Sequence, residues 1–449
     1  MTRATWYLRR NDRQLRYAGR VLAADRPIAI SIDPLYAATY AGQVCTLVGA
    51  NLLARMTPAL VLDVPDVMMV NPLPWAGESL RESVLSMVQN ADPHASFEKR
   101  PAGDKDYRLC FGRGPAENTV HGCGWHAMIG TGKSNIPDSN DANPIGPSFA
   151  AIAAAARLFG LDMRVGLGGP FLFNTFDWNH RREAHIPELR ENVALGEIWT
   201  IGAGSVGSAA LYFLTLAVRQ FSAVTFDMDV VKVENLDRSP VFTYVDADRG
   251  TYKSDAVTSY LRSAGVAQAE SVRGPLDQST RWSSRPPGTP DLVISAANER
   301  NVRYVIEQSC PPLQIYGTTG TNWVASVIRH IPLIDACSCC VFPPDAQQAR
   351  MVCAGGKVPA SQPEEAVDAA LPFLSFGAGL MAAAEILKST LPGYPFSPSR
   401  TVFSTWPSID PQFTSFTTPQ RNGCTCTERN ASVHERMIRG SRYERLSTA

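Results

Sequence analysis

Three glycines between residues 197 and 207 have the spacing of a phosphate-binding turn. Gly202, Gly204 and Gly207 form a GxGxxG pattern between a short apolar segment and an apolar helix. In such turns glycine permits a sharp bend, lets the main chain approach a phosphate, and allows the helix to pack closely on the strand. The pattern alone fits a nicotinamide-dependent oxidoreductase as well as an ATP-using enzyme.

The residues that follow the glycines favour ATP. The next predicted strand ends at Asp227 and is followed by Asp229, and then by one amide and two cations, Asn235, Arg238 and Lys253. Asn235 and Arg238 are three residues apart, so one helical turn would aim both at the nucleotide. Cations here can stabilise the charge that builds on the phosphates as pyrophosphate leaves, and an oxidoreductase has no need of them.

Cysteines are concentrated in the last third of the chain. Cys337 and Cys340 form a CxxC pair, and Cys424 and Cys426 form a CxC pair about 85 residues later. Two thiolate pairs that the fold brings together can bind Zn²⁺ tetrahedrally, so we predict a structural zinc site, with Cys339 as a further candidate ligand. The alternative is that these are small side chains of the core.

The bulk composition argues against several classes of function. Lys and Arg together number 42, as do Asp and Glu, so a zero net charge gives no overall attraction to nucleic acid or to a membrane. No apolar run approaches the roughly 20 residues that a membrane span needs, and the first residues lack a signal-peptide core. We expect a cytoplasmic protein, where clustered cysteines favour metal binding or thiol chemistry over disulfides.

The elements that must position these residues predict an α/β fold that occurs twice. Residues 291–296 and 313–317 have the apolar pattern of parallel core strands, and residues 376–391 that of a long buried helix. Counterparts of the last strand and of this helix occur in the same order in the first half, at residues 121–125 and 146–160.

The first half is predicted to be a degraded copy of the second. Residues 44–54 stand where the glycine turn would be, and residues 60–63 stand where the acid-tipped strand would be. Asn51 and Ala54 replace the second and third glycines, and a side chain at the second position would block a phosphate. We therefore predict an inactive domain retained for architecture. The alternative is two α/β domains that share only generic features.

The combined motif resembles that of the ThiF/MoeB and ubiquitin-activating superfamily, which has GxGxxG, then DxDxVxxxNLxRQ, then a lysine. The matching residues are Gly202, Gly204, Gly207, Asp227, Asp229, Asn235, Leu236, Arg238 and Lys253. The resemblance implies two Rossmann-like adenylation domains in tandem, the first inactive and the second active, within one pseudo-dimeric monomer. Its expected parts are an inactive domain at 1–176, a linker at 177–193, an active domain at 194–427, and a basic tail at 428–449 that forms a solvated or partner-binding helix.

The resemblance also implies roles for the nucleotide-binding residues. Asp227 would bind the ribose hydroxyls of ATP, and Asn235, Arg238 and Lys253 would bind its triphosphate. In the family an arginine from the N-terminal helix of the partner domain reaches the same nucleotide, and Arg13 resembles it.

Magnesium is the point at which the chain departs from the family pattern. The usual Mg²⁺-binding aspartate is replaced by Asn298, which is followed by Glu299. A neutral amide binds a hard cation less well than a carboxylate does. We expect Glu299 to take over this role; the alternatives are that Asp229 suffices or that ATP turnover is slow.

The implied reaction activates a small protein. Its C-terminal carboxylate would attack the α phosphate, and Cys353, in a crossover loop at about 343–370, would take the acyl group as a thioester for a conjugating enzyme. Neighbouring cations favour a thiolate, and Arg350 and Lys357 lie near Cys353. Cys353 could instead be an ordinary loop cysteine, and Cys339 or Cys310 would then be the candidates.

Two rival functions stay open at this point. One is a sulfur-carrier adenylyltransferase, although those enzymes usually pair identical chains, and the other is a nucleotide-binding scaffold without turnover. The fused halves resemble the activating enzymes of bacterial operons with ubiquitin-like proteins, some of which act in antiviral defence. The expected ligands are therefore ATP, Mg²⁺ and a structural Zn²⁺, and the expected partners are a ubiquitin-like protein and its conjugating enzyme.

Overall fold

The structure is a computed structural model of the 449-residue chain. It describes residues 2–18, 22, 26–75, 77–113, 118–136, 141–162, 170–179, 186–189, 193–276, 290–297, 300–309, 311–320, 323–342, 357–358, 367–368, 371–394, 398–405, 411–424, 426 and 431–447.

A seven-stranded sheet with flanking helices forms the first half. Its elements are α1 (Arg3–Arg10), α2 (Asp12–Ala18), β1 (Ile28–Ile32), α3 (Pro34–Ala37), α4 (Tyr40–Met56), β2 (Ala59–Asp63), α5 (Leu80–Ala91), β3 (Ser96–Glu98), β4 (Tyr107–Phe111), β5 (Thr119–Cys123), β6 (His126–Gly130), α6 (Ile145–Asp162) and β7 (Phe171–Asn174). The strand order is β3-β2-β1-β4-β5-β6-β7. The first five strands in this order run parallel, and β6 and β7 are antiparallel.

An eight-stranded sheet forms the second half. Its elements are β8 (Gly196–Ile201), α7 (Ser205–Ala217), β9 (Phe221–Phe226), a 3-10 turn (Val233–Asn235), α8 (Tyr244–Arg249), α9 (Lys253–Ser263), β10 (Gln268–Val272), β11 (Leu292–Ser295), α10 (Arg300–Ser309), β12 (Leu313–Gly320), β13 (Val324–His330), α11 (Ser338–Val341), β14 (Lys357–Val358), β15 (Val367–Asp368), α12 (Pro372–Lys388), β16 (Arg400–Ser404), β17 (Gln412–Phe416), α13 (Ala431–Ile438) and a second 3-10 turn (Glu444–Ser447). The short strands β14 and β15 pair only with each other.

Both sheets follow the same path. The strand order β10-β9-β8-β11-β12-β13-β16-β17 matches that of the first sheet through its first seven positions, with the same change from parallel to antiparallel pairing after the fifth strand. Parallel strands joined by helices are the doubly wound arrangement in which ligands bind at the carboxyl ends of the strands. The predicted fold class, two Rossmann-like α/β units in tandem, is confirmed.

The elements predicted for the second half are present with adjusted ends. The strand predicted at 313–317 extends to Gly320, because it continues into a hairpin with β13. The helix predicted at 376–391 begins earlier, at Pro372. Proline suits the first helical position, because its fixed φ matches the helix and its missing N–H would have no partner there.

The glycine-turn counterpart predicted at residues 44–54 is wrong. These residues lie inside α4, which is buried along its whole length. Gly49 is a packing glycine, since a Cβ there would lie 2.7 Å from the Phe111 ring. The true counterpart of the turn is the segment after β1, which begins at Asp33. Asn51 and Ala54 therefore do not replace the motif glycines.

The predicted linker and tail are more closely packed than expected. In the linker at 177–193, Trp178 is buried, and its indole N–H donates to Glu385 Oε1 at 2.7 Å. The helix predicted in the tail is present as α13, but Tyr443 beyond it is buried and donates to Leu195 O at 3.1 Å. The segment after α13 therefore packs on the second half, while Glu435 and Arg436 of α13 itself are exposed, as expected of a solvated helix.

The two halves share one hydrophobic core. Helices α6 and α12 pack against each other. Phe149 of α6 contacts Phe173 of its own half and also Phe403 and Phe413 of the second half, with ring centroids 4.7 to 5.1 Å apart. Burial of this aromatic surface from both halves makes their relative position part of the fold. Among the described helices, none has both the length and the apolar character needed to cross a membrane.

Candidate functional site

The glycine turn after β8 has the geometry of a phosphate-binding loop. Gly202 has φ 89°, a left-handed conformation that favours glycine. A Cβ on Gly207 would lie 2.1 Å from Gly202 O, so helix and strand approach too closely for any side chain there. Gly204 faces open space, with nothing within 4 Å of where its Cβ would be. Two glycines thus shape the turn, and the third leaves room beside it.

The helix that follows this turn offers main-chain donors. Gly204 is the N-cap of α7, and no side chain among the described residues caps this end. Free N–H groups at a helix N-terminus bind anions, because they point outward and the helix dipole adds positive potential. The open space at Gly204 and this helix end together fit a nucleotide phosphate.

Asp227 lies directly beside the turn. It follows β9, and its carboxylate accepts hydrogen bonds from the N–H groups of Ala203 at 2.8 Å and of Asp229 at 2.9 Å. Burial raises the pKa of this carboxyl, and the nearby Lys253 opposes the shift. The arrangement holds an acceptor at the carboxyl edge of the sheet, where a ribose would lie in this fold class.

Lys253 and Asp229 form an ion pair at the same edge. Lys253 Nζ lies 2.6 Å from Asp229 Oδ2, and the lysine side chain is 13% exposed against 65% for the aspartate. The backbone joins them as well, since Lys253 N donates to Asp229 O at 2.9 Å. The structure therefore brings together the turn, both aspartates and the lysine of the predicted motif.

The Asn235 and Arg238 side chains contact residues of their own loop. Asn235 ends the 3-10 turn, and its Oδ1 accepts from Lys232 N at 2.9 Å, so its side chain closes the turn locally. The Arg238 side chain is 8% exposed and donates to Asp237 Oδ1 at 2.5 Å. The predicted role of both residues as triphosphate ligands stays a prediction.

Asp237 is a site residue that the sequence reasoning missed. Its carboxyl is fully buried; burial raises its pKa, and the guanidinium groups of Arg238, Arg13 and Arg10 oppose that shift. Arg238 belongs to the second half, whereas Arg10 and Arg13 belong to the first. The sequence feature that could have indicated Asp237 is its position between the two predicted phosphate ligands Asn235 and Arg238.

The first half reaches this loop through its N-terminal helices. Helix α1 packs against the 3-10 turn at Val233–Asn235, and Arg9 Nη2 lies 2.9 Å from Glu234 Oε1. Arg13, on α2, is half-buried near Asp237. The predicted proximity of Arg13 to the motif of the other half is therefore present, while its contact with a nucleotide stays a prediction.

Several predicted site residues lie outside the described residues. They are Asn298 and Glu299 for Mg²⁺, Cys353 for the thioester, and Cys310 as its substitute. Their roles stay predictions, as do the ligand-binding roles of Gly202, Gly204, Gly207, Asp227, Asp229, Asn235, Arg238, Lys253 and Arg13.

The four cysteines predicted to bind zinc lie together. The sulfurs of Cys337, Cys340, Cys424 and Cys426 all lie within 4.8 Å of one another. Three of the separations are 3.5 to 3.7 Å. Zinc–sulfur bonds of about 2.3 Å in a tetrahedron place the sulfurs about 3.8 Å apart, so the cluster has the size that Zn²⁺ requires.

The buried carboxylate of Glu307 fixes the segment that carries Cys337 and Cys340. Glu307 Oε1, on α10, accepts from Ser338 N and Ser338 Oγ, both at 2.9 Å, and from Tyr316 OH at 3.0 Å. These bonds fix the start of α11, between Cys337 and Cys340. Cys339 is half-buried and is not one of the four clustered ligands.

The matching edge of the first sheet is built differently. Asp33 and the short helix α3 follow β1, and the Tyr36 side chain is buried there. Its hydroxyl donates to Gly122 O at 2.6 Å, and its ring packs edge-on against His121. Asp63, which corresponds to Asp227, accepts from Ser31 Oγ at 2.9 Å. An aromatic side chain thus lies where the second sheet has its glycine turn, which favours the prediction of an inactive first half.

Comparison with known families gives one match. The model of the ThiF family matches residues 183–427, more than half of the chain. No curated protein matches the sequence at a significant level.

Several solved structures are similar at low identity. MccB of E. coli, crystallised with succinimide, is 12% identical over 70% of this chain and 98% of its own, with a TM-score of 0.38. PaaA is 17% identical over 50% of this chain and 73% of its own, with a TM-score of 0.36. The E. coli tRNA N6-threonylcarbamoyladenosine dehydratase TcdA is 16% identical over 43% of this chain and 84% of its own, with a TM-score of 0.31. Scores this low support no inference about the site.

Proposed function

The chain belongs to the ThiF family, and from this we propose that its second half uses ATP to adenylate the C-terminal carboxylate of a ubiquitin-like protein. The observation that carries the proposal is the convergence at one sheet edge of an uncapped glycine turn, the Asp227 carboxylate and the ion pair of Asp229 with Lys253. Arg13 of the first half adds a further cation near Asp237.

The residues of this edge suit the bond changes of adenylation. An oxygen of the partner's carboxylate attacks the α phosphorus, the bond from the α phosphorus to the bridging oxygen breaks, and pyrophosphate leaves with the electron pair. Asp227 would accept hydrogen bonds from the ribose, and the N-terminus of α7 at Gly204 would bind phosphate oxygens. Lys253, Arg238 and Arg13 would stabilise the charge on the leaving pyrophosphate.

Two metal ions have candidate ligands in this proposal. Mg²⁺ would be bound by Asp229 together with Glu299 or Asn298, and it would neutralise phosphate charge. Zn²⁺ would be bound by Cys337, Cys340, Cys424 and Cys426, which fit it in number, chemistry and spacing. The zinc would be structural, because four protein ligands leave it no open position.

A second step would transfer the acyl group to Cys353. The thiolate attacks the acyl carbon, the bond to the AMP oxygen breaks, and AMP leaves while a thioester forms. The acyl group would then pass to a conjugating enzyme in the cytoplasm, and antiviral defence is one physiological setting that the sequence resemblance suggests.

ATP–pyrophosphate exchange tests the first step. Purified protein is incubated with ATP, labelled pyrophosphate and candidate ubiquitin-like proteins, each also supplied without its last residues as a matched control. We expect exchange only with an intact C-terminus, together with loss of exchange in Lys253→Ala. Absence of exchange with every partner would favour the scaffold without turnover.

The thioester has its own test. Cys353→Ala should abolish a thiol-sensitive adduct with the small protein while exchange continues. An adduct that persists would move the role to Cys339 or Cys310, and exchange without any adduct would favour a sulfur-carrier adenylyltransferase.

The proposed role of Glu299 in binding Mg²⁺ is tested by the same exchange assay. Full exchange in Glu299→Ala would reject it.

A further inference from the structure

Arg55 of the first half inserts its guanidinium into a loop of the second half. It lies in the last turn of α4 and is 2% exposed. Nη1 donates to Leu236 O at 2.6 Å, and Nη2 donates to Pro240 O at 2.9 Å and to Phe242 O at 3.1 Å. One side chain thus holds three main-chain carbonyls across a seven-residue span of the other half.

Asn51, one helical turn earlier, completes this contact. Its Oδ1 accepts from Arg55 Nε at 2.8 Å, and its Nδ2 donates to Pro240 O at 3.1 Å. Burial lowers the pKa of Arg55 to about 9, which leaves the guanidinium charged at neutral pH. A charged donor on neutral acceptors gives stronger hydrogen bonds than a neutral donor would.

The loop that Arg55 holds is part of the nucleotide motif. Residues 236–242 directly follow Asn235 and include Asp237 and Arg238. The glycine turn and Asp227 directly follow strands of the sheet. The 236–242 loop, in contrast, is separated from β9 by the 3-10 turn, so no strand fixes its position. Its shape therefore depends on contacts such as those from Arg55, which enter from the opposite half.

The same end of α4 also fixes the segment that carries Arg13. The carbonyls of a last helical turn have no partner within the helix. Here Ala54 O accepts from Arg10 Nη1 at 3.0 Å, and Arg55 O and Met56 O accept from Gln14 and Asn11 amides at 3.5 Å. The Arg10 guanidinium is itself paired with the buried Asp92 at 2.5 Å. Arg13 thus lies between side chains that are anchored on the carboxyl end of α4.

We propose that Arg55 is a positioning residue for nucleotide binding, which acts by holding the 236–242 loop that carries Arg238, a proposed ligand of the triphosphate. This inference rests on the proposed function of the second half. It gives the first half a physical role, because the end of one helix sets the orientation of Arg238 through the loop and of Arg13 through α1 and α2.

The central experiment is a double-mutant cycle on ATP binding. Calorimetry with ATP and Mg²⁺ is carried out on the wild type, Arg55→Lys, Arg238→Ala and the double variant. Lysine keeps the charge but lacks the planar fork that reaches three carbonyls. We expect Arg55→Lys to weaken binding about tenfold, as for the loss of one or two hydrogen bonds to a charged group.

The double variant distinguishes positioning from general stability. If Arg55 acts through Arg238, the double variant should bind ATP no more than about twofold more weakly than Arg238→Ala alone. Additive losses, or an unchanged affinity in Arg55→Lys, would overturn the inference. Arg157→Lys is the matched control, since Arg157 is a half-buried arginine on another helix of the same half, and it should leave the affinity unchanged.

Hydrogen exchange gives a readout that needs no nucleotide. Amides of residues 236–242 should exchange faster in Arg55→Lys than in the wild type and in Arg157→Lys, and equal rates would reject the positioning role. If the wild type bound no ATP but the loop still exchanged faster in the variant, the proposed function would fail while the structural link stood.

A chemical rescue experiment keeps the test valid for variants that fold poorly. Arg55→Ala removes the guanidinium beside a cavity of about 580 Å³ that Asn51, Arg55 and Tyr212 line. Added guanidinium at concentrations that leave the wild type unaffected should restore ATP binding at least partly in this variant. Failure of rescue in a variant with wild-type thermal stability would count against the role of Arg55.

Discussion

Two aspartates at equivalent places in the two sheets make different contacts. Asp227 accepts from main-chain N–H groups of the glycine turn and its own loop, whereas Asp63 accepts from the hydroxyl of Ser31. The first arrangement is tied to the turn that would bind a nucleotide, and the second is not. The chain therefore offers an internal control for the role of the acid.

Asp227→Asn should weaken ATP binding by at least about tenfold, because an amide cannot accept both main-chain bonds and the ribose with the same geometry. Asp63→Asn should leave ATP affinity unchanged, since the first half is predicted to be inactive. Calorimetric titration of the two variants against the wild type checks both. Equal losses in the two would mean that the first sheet also binds nucleotide.

Asp141 should make stability depend on pH. Burial, and secondly the neighbouring Glu188 carboxylate, raise its pKa to about 7. Between about pH 4 and that value the folded state binds a proton that the unfolded state does not, so the stability from this group falls as pH rises. Asp141→Asn should therefore raise the melting temperature relative to the wild type at about pH 8 and much less at about pH 5. Asp104→Asn, at an exposed position, is the control, and an equal shift at both pH values would contradict the assignment.

Sequence patterns predicted those site residues that belong to a motif with fixed spacing. The three glycines, Asp227, Lys253 and the four clustered cysteines were all predicted by spacing or by family pattern. Arg55 and Asp237 were not, because Arg55 contacts main-chain carbonyls, which leave no trace in residue types, and Asp237 depends on cations from a distant segment. Contacts of this kind are visible only once the two halves are in place.

At the scale of elements, the cysteine cluster joins two segments far apart in sequence. Cys337 is the N-cap of the short helix α11 and Cys340 lies within that helix, while Cys424 and Cys426 follow the edge strand β17. A metal there would tie the edge of the sheet to α11 and, through Glu307, to α10. Bound metal that is absent from the unfolded state adds its binding free energy to folding.

The purified protein should contain about one zinc per chain by elemental analysis. Cys340→Ser should lose the metal and lower the melting temperature, and removal of zinc by a chelator should do the same to the wild type. Cys339→Ser should keep both, since Cys339 is not one of the four clustered sulfurs. Retention of a full zinc complement in Cys340→Ser would move the ligand set to Cys339.

Helix α4 shows why one element was assigned wrongly. Its sequence has two glycines, small residues and apolar neighbours, which suit a tight turn as well as a helix that is buried on all sides. Periodicity is no guide in such a helix, because every face is buried. Tertiary packing, including the contact of the Phe111 ring with Gly49, stabilises the helix here.

At the scale of the whole molecule, the shared core predicts one unfolding unit. Phe149 packs on aromatic rings of both halves, so its loss should weaken both. Phe149→Ala should cost about 3–5 kcal/mol and lower the single thermal transition of the entire chain. Scanning calorimetry checks this, with Phe111→Ala as a core control within the first half. A separate early transition in either variant would show that the halves unfold independently.

The hydrogen bonds from Arg55 to the 236–242 loop also bear on how such a chain can change over time. Because their acceptors are carbonyl oxygens, replacing side chains between residues 236 and 242 leaves these bonds intact, whereas inserting or deleting a residue there would carry the acceptors out of reach. The length of that loop and the position of Arg55 in the first half should thus be inherited together, while the identities of the intervening residues change.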